Sequence, residues 1–403
     1  MISFNFSSSD LRKSFVSTKR LLSVIFFSFI VAQSFHLSAH ESDGLIKSEA
    51  QAVKKRIIDN WMQEKRSFYS TVLNVPDSVS PFLVSGEDKM PFWYAEYGNA
   101  PFGERSLWIS MHGGGGTTQQ FNNGQWNNQK RLYRPTEGIY VAPRAPWNAW
   151  NMWFLEPIDD FFAQLIEMMI VCKGVNPNKV YLVGYSAGGD GVWRLAPRLA
   201  YRFAAASMMA GHPGAVSLLN LRNLPFMIWC GAEDAAYNRN TLCAEKGLLM
   251  DSLQADCPNG YIHETHILEG KGHWMDGADA AALPWMQKYL RNPYPRSIVW
   301  RQEEVLQERF YWISAPFNEL AQGKVVRLEV KGNTIDVAQC DYTNLTLFLN
   351  DDIVDLDKKI KVRINGKTVF NGRLKRDEAV MQRTIGMYAD PAFCFSSRLV
   401  VRK

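Results

Sequence analysis

One stretch limits the folds open to this chain more than any other: Lys179-Val-Tyr-Leu-Val-Gly-Tyr-Ser186-Ala-Gly-Gly189. A short apolar run rich in β-branched and aromatic residues enters Gly184-Tyr185-Ser186-Ala187-Gly188, and a helix-like stretch, Asp190 to Leu199, leaves it. A turn from strand to helix this tight brings neighbouring backbones so close that a β-carbon at either glycine would collide with them. The serine then stands at the apex with its hydroxyl exposed, and the N–H groups that follow point outward. Ser186 is therefore the candidate nucleophile, and the surrounding chain should be an open, mostly parallel α/β sheet.

The order of elements agrees. Phe92–Tyr97 alternates as an early strand, Leu107–Met111 reads as a buried one, and Gly138–Ala142 as a third. After the elbow, 203–210, Leu224–Gly231 and Ile262–Leu268 read as strands separated by helical stretches, the βα alternation of a parallel sheet. Val53, Ile57, Ile58, Trp61 and Met62 give residues 45–75 the spacing of an amphipathic helix. Thr117 to Gln129 is polar and amide-rich and reads as a loop. Asn292-Pro-Tyr-Pro295 is stiff and non-helical, and beyond it the pattern turns to period two. Residues 325–330 and 334–338 flank Lys331-Gly332-Asn333, while 360–364 and 367–370 flank Asn365-Gly366, a strong hairpin signal. The expected organisation is a leader over 1–39, a catalytic domain over 40–295 and a small antiparallel β domain over 296–403. That tail contains no Ser-His-Asp set, so catalysis is expected to be complete without it.

A serine hydroxyl needs a base, and the base needs an acid to orient it. Four histidines follow Ser186: His212, His263, His266 and His273. His263 and His266 fall within a strand, whereas His273 follows one on Gly270-Lys-Gly-His273 and is free to reach over the serine. Gly231-Ala-Glu-Asp234 sets a carboxylate just past a strand-ending glycine, so Asp234 is the expected acid, with Glu233, Asp276 and Asp279 as alternatives. His212 ends another strand and is a candidate substrate contact. Pro146 to Phe154 carries Trp147, Trp150 and Trp153, either a packed corner or an aromatic wall of the cleft.

Residues 105–290 resemble the α/β-hydrolase superfamily, and Gly184-Tyr-Ser-Ala-Gly-Gly189, His112-Gly-Gly-Gly-Gly116 and Gly270-Lys-Gly-His-Trp274 resemble its secreted esterase branch, near the polyhydroxybutyrate-depolymerase-like and dienelactone-hydrolase-like enzymes. The resemblance implies Ser186 as nucleophile, Asp234 as acid, His273 as base, and the N–H groups of Ala187, Gly114 and Gly115 as donors to an oxyanion. It implies His112 as a brace for the glycine loop. The activity implied is hydrolysis of a small-molecule or polymeric carboxylic ester through an acyl-enzyme, with no metal or cofactor. A serine peptidase of prolyl-oligopeptidase type and a catalytically idle binding protein are the alternatives. The resemblance stops short of the last hundred residues.

Charge and cysteines bound the setting. Of the formal +5, residues 1–39 supply +3 (Arg12, Lys13, Lys19 and Arg20 against Asp10), which leaves +2 and no basic stripe for nucleic acid. Those basic residues precede the apolar run Leu21–Ala32 and the small residues up to Ser38-Ala39, the pattern of a secretory signal, too short to span a bilayer. The expectation is a secreted or periplasmic protein with no stable membrane span once the signal is removed. The six cysteines show no metal-ligand spacing. Cys243–Cys257 and Cys340–Cys394 are possible disulfides, with Cys172 and Cys230 as buried free thiols.

Overall fold

The computed structural model describes residues 44–76 and 78–403. The leader pattern and its Ser38-Ala39 end lie outside the described residues. Residues 44–403 form one compact unit.

Among the described residues the first element is α1 (Lys47–Leu73), which buries Ala50, Ile57, Trp61 and Tyr69 along one face. The hairpin β1 (Phe82–Ser85) and β2 (Asp88–Tyr97) follows, then β3 (Arg105–Met111), α2 (Gln119–Leu132), β4 (Gly138–Pro143), α3 (Pro157–Lys173) and β5 (Val175–Tyr185). After it come α4 (Ala187–Arg198), β6 (Ala205–Met209), β7 (Phe226–Gly231), α5 (Arg239–Asp256), β8 (His263–Leu268) and the short α6 (Ala282–Met286). These eight strands make one sheet in the order β1-β2-β4-β3-β5-β6-β7-β8. β1 and β2 run antiparallel and every pairing from β3 to β8 is parallel.

Strand β3 explains why both faces are covered. Leu107, Ile109 and Met111 enter a core shared with α3 and α4, while Trp108 between them stacks on Tyr181 in a second core shared with α6. A strand buried on both sides reads as a continuous apolar run, as β3 does.

The segment Thr117–Gln129 is mostly helical, where the sequence reads as a loop. Thr118 caps α2 by accepting from the Phe121 N–H. The helix lacks an apolar stripe because its buried residues, Asn122 and Gln129, are amides held by hydrogen bonds to Gly115 and Ser110.

Past Pro295 the architecture changes. Strands β9 (Ser297–Arg301), β10 (Arg309–Phe310), β11 (Ile313–Ser314), β12 (Val325–Lys331), β13 (Thr334–Cys340), β14 (Asn344–Leu349), β15 (Ile360–Ile364), β16 (Lys367–Gly372) and β17 (Ser397–Arg402) form a five-stranded and a four-stranded sheet, with α7 (Glu378–Tyr388) before β17. Both expected hairpins form, but β13 and β15 pair in parallel and join them. The change of sheet after Pro295 does not divide the core. Tyr201 packs edge-on against Phe310, Tyr388 and Phe393, and Asn220 exchanges hydrogen bonds with the Arg301 backbone. Arg291, almost wholly buried, donates to both Asp390 oxygens (2.7 and 3.3 Å), to Asn178 and to the Tyr201 carbonyl.

Candidate active site

Ser186 sits between β5 and α4 with φ 58° and ψ −120°. This is a costly region for a residue with a side chain, and the packing around it leaves no alternative. A β-carbon on Gly184 would lie 2.2 Å from the Gly188 carbonyl oxygen, and one on Gly188 would lie 2.2 Å from that of Met111. The Ser186 N–H donates to Met209 O on the neighbouring β6 (2.9 Å), and its own carbonyl accepts the first turn of α4.

The structure brings Ser186, His273 and Asp234 together at the C-terminal ends of β5, β8 and β7. His273 Nε2 lies 2.9 Å from Ser186 Oγ, and His273 Nδ1 lies 2.7 Å from Asp234 Oδ2. The Asp234 side chain is almost wholly buried and that of His273 is about 43% exposed, so the relay runs from the interior to an open surface. Of the other candidate acids, Glu233 is exposed, Asp276 pairs with Lys271, and the buried Asp279 accepts from the Tyr133 hydroxyl. None of them touches His273.

Two supports for this relay carry no signal in the sequence. Arg239, in the first turn of α5, donates to Asp234 Oδ1 at 3.0 Å, so each carboxylate oxygen has one partner. Tyr185, beside the serine, donates its hydroxyl to the His273 carbonyl (2.7 Å) and accepts from the Met275 N–H (3.2 Å), which fastens the histidine loop at both ends. The sequence marks Tyr185 only as the variable position of the turn.

The glycine loop after β3 has its own brace. His112 is fully buried; its Nδ1 lies 2.6 Å from the Gly113 carbonyl and its Nε2 accepts from the Ala145 N–H at 3.2 Å. The neutral ring with its proton on Nδ1 satisfies both bonds. Burial, aided by the nearby Arg144 guanidinium, lowers the pKa of His112 to about 3. Asn122 lies beneath the loop, accepting from the Gly115 N–H (2.9 Å) and donating to the Gly115 carbonyl (3.0 Å). The expectation that Gly115 donates to an oxyanion is therefore corrected: its N–H is spent on Asn122. Gly114, at φ 111°, has no hydrogen-bond partner for its N–H among the described residues, and a β-carbon there would run into Asn122 Oδ1. Gly113 packs against the serine itself, since a β-carbon on it would be 3.1 Å from Ser186 Cβ. Ala187 opens α4, where the first N–H groups have no partner within the helix.

His112 has a consequence for stability. The unfolded chain protonates this histidine near pH 6.5, while the folded chain resists until about 3. The contribution is complete above pH 6.5 and is lost as pH falls through that window. Between pH 7 and 4.5 the loss is about 2–3 kcal/mol. Denaturant unfolding at stepped pH should show this slope in the wild type and a flatter one in His112→Asn, and equal slopes would assign the acid sensitivity to other groups.

The three tryptophans separate. Trp153 is fully buried and donates to the His112 carbonyl (2.8 Å), so it belongs to the core beneath the glycine loop and not to a cleft wall. Trp147 is half-buried and donates to Asp88. Trp150 alone is exposed, at 67%, with its backbone against Gly115 and Gly116. Trp274, 52% exposed, follows His273 and packs on Tyr185. His212 closes a turn: its backbone N–H donates to Asp190 (2.6 Å) and its Nδ1 accepts from the Gly214 N–H. No substrate role follows from that placement. Burial raises the Asp190 carboxyl pKa.

Among the described residues no group of three or more His, Cys, Asp and Glu could hold a metal ion, and no helix is long and apolar enough to cross a membrane. All six thiols are free. Neither of the two possible disulfides is present: Cys257 lies against the Arg222 guanidinium, Cys340 bonds to the Tyr342 carbonyl and Cys394 to that of Met381.

No protein-family model matches the sequence, and comparison with curated proteins returns no match. Solved structures with a similar arrangement include a thermostable esterase (17% identity, TM-score 0.43, 53% of this chain and 63% of that one). A ferulic acid esterase aligns at 16% identity and a TM-score of 0.38, over 52% of this chain and 96% of that one. FphF, a fluorophosphonate-binding serine hydrolase of Staphylococcus aureus, aligns at 12% identity and a TM-score of 0.38, over 52% and 97%. Likeness of this degree carries no activity or substrate across. The α/β-hydrolase type of fold rests on the chain's own eight-stranded, mostly parallel sheet and the serine elbow at the end of its central strand β5.

Proposed function

We propose that this chain is an exported serine hydrolase that cleaves carboxylic esters through an acyl-enzyme on Ser186. The observation that carries the reading is the continuous hydrogen-bonded path Ser186 Oγ–His273 Nε2 and His273 Nδ1–Asp234 Oδ2, at 2.9 and 2.7 Å. Beside the serine, the Ala187 and Gly114 N–H groups have no hydrogen-bond partner among the described residues. Export rests on the basic-then-apolar order of residues 12–32.

In the first half-reaction His273 Nε2 takes the Ser186 proton as Oγ attacks the ester carbonyl. Negative charge gathers on the carbonyl oxygen, where the N–H groups of Ala187 and Gly114 are the available donors, and removing one such donor typically costs about 10²–10³ in turnover. The imidazolium then protonates the departing alcohol. Water repeats the sequence against the acyl group and regenerates the serine. Asp234 holds the His273 proton on Nδ1 and stabilises the imidazolium, and Arg239 keeps the carboxylate pointed. The acyl and alcohol portions meet a rim carrying Trp150 and Trp274, which favours a flat or apolar group beside the scissile bond.

Hydrolysis of a nitrophenyl ester compared with that of a chromogenic peptide tests this. An ester preference of several orders of magnitude is expected. Comparable or faster peptide cleavage would make the chain a peptidase, and no turnover of either would make it a binding protein.

A further inference from the structure

A groove of about 550 Å³ that the relay does not touch lies at the end of α2 remote from the glycine loop. One wall is the face of β2 that carries Trp93, Ala95 and Tyr97, where the small Ala95 leaves a hollow between two rings. The other wall is the last turn of α2 and the residues after it, with Lys130, Arg131 and Arg134. The Lys130 ammonium donates to Asn127 (2.9 Å) and stands 3.5 Å from the centre of the Trp126 ring. Arg131 and Arg134 are exposed, and neither guanidinium has an acidic partner among the described residues. The carboxylates that could reach them are absent or taken. Helix α2 holds no acidic residue, and Asp88 and Glu96 fall on the opposite face of β2, where Glu96 pairs with Arg105 and Lys173. Glu137, the nearest carboxylate to Arg134 in sequence, accepts from the Ser106 N–H (3.1 Å) and hydroxyl. Cations at a helix C-terminus complement its dipole. That accounts for Lys130 and Arg131, but neither for Arg134 nor for the two rings of β2 that share the groove with them.

We propose that this groove binds a carboxylated polysaccharide, a chain of uronate residues whose sugar rings pack on Trp93 and Tyr97 and whose carboxylates pair with Lys130, Arg131 and Arg134. The aromatic rings offer flat apolar surface to the C–H face of a sugar, and a planar guanidinium matches a carboxylate through two parallel N–H···O bonds. Three cations exceed what one carboxylate pairs with, so the ligand carries several along its length. The volume falls in the range of about 300–1,000 Å³ in which small organic ligands are held, so a short run of the polymer fills it. A nucleic acid also stacks on rings and pairs with arginine, but it needs a basic track along its backbone. Here the unpaired cations are gathered in one groove on a chain that carries only +2 beyond residue 39. The site is distinct from the relay: Asn122 serves the glycine loop from the first turns of α2, and Lys130 and Arg131 line the groove from its last. Binding there does not depend on the ester chemistry.

The test is calorimetric titration of the full chain with an oligogalacturonate, beside a neutral galactose oligomer of the same length. Saturable binding of the acidic oligomer is expected, weakening as salt rises, with none of the neutral one. Arg131→Gln and Arg134→Gln, both at exposed positions, should each weaken binding about tenfold and lessen its salt dependence. Trp93→Leu should weaken it with the salt dependence kept, and if that variant does not fold, the two arginine variants decide the matter. Whatever ester turnover the wild type has, the arginine variants should share it. No binding by the wild type, undiminished binding by both arginine variants, or equal binding of the neutral oligomer would overturn the proposal. Equal or tighter binding of dextran sulfate or single-stranded DNA would make the groove a general polyanion site and overturn its assignment to uronates.

Discussion

Ser186→Ala should lower ester turnover by a factor on the order of 10⁴–10⁶ with the fold intact, because nucleophile, base and acid act as one unit. The substitution removes one hydroxyl at a half-buried position and keeps the backbone at φ 58° as it is, so melting should move little. Asp234→Asn tests the other end of the relay. It leaves the Arg239 contact possible through the amide oxygen but no longer enforces a proton on His273 Nδ1, and a fall of about 10⁴ is expected. A fluorophosphonate should label Ser186 alone among the serines. A folded Ser186→Ala protein that keeps more than a tenth of the wild-type rate would remove the serine from the mechanism.

Removing residues 296–403 is expected to leave no folded protein, although no residue of the proposed relay lies there. The reason is burial. Truncation would remove the aromatic rings packed around Tyr201, baring that side chain, and strip Asp390 from a buried Arg291, leaving a charge in the interior without its partner. The milder version is Arg291→Ala, which takes the nearer cation from Asp390 and leaves it only Arg202, 3.9 Å away; it should cost about 3 kcal/mol while leaving turnover per folded molecule unchanged. Circular dichroism and a thermal melt of the truncated chain decide the matter. A cooperative transition together with hydrolysis of a small ester would show that the tail is dispensable.

What the sequence made legible was whatever geometry forces on residue type. The elbow glycines had to be glycines because carbonyl oxygens lie 2.2 Å from where their β-carbons would be. Asp234 and His273 could be picked out because each follows a strand at the end where a parallel sheet presents its loops. The residues that escaped notice act through partners distant in sequence. Asn122 is an ordinary amide until its helix is laid beneath the glycine loop, and only that placement reveals that the Gly115 N–H is occupied. Arg239 carries no signal in the sequence, and Trp153 reads the same as Trp150 although one is core and the other surface. Helix α2 leaves no helical pattern in the sequence for a related reason: its buried residues are polar, so the apolar period that marks a helix is absent. The joining of hairpins through β13 and β15 depends on pairing across a long connection, which no local pattern records.

The position of α1 bears on the time course of folding. Arg56 in α1 is ion-paired with Glu378 at the start of α7, 322 residues further on, and the two helices pack together. A nascent chain makes α1 some 322 residues before its partner on α7. Until α7 emerges, the inner face of α1 packs mainly on α3, and the Arg291 site has no Asp390. Closing contacts across most of the chain slows the final step, because the entropy of the loop is lost before the contact repays it. Assembly of the native state therefore waits on residues 296–403, and the α/β sheet reaches its full stability only once they have packed against it.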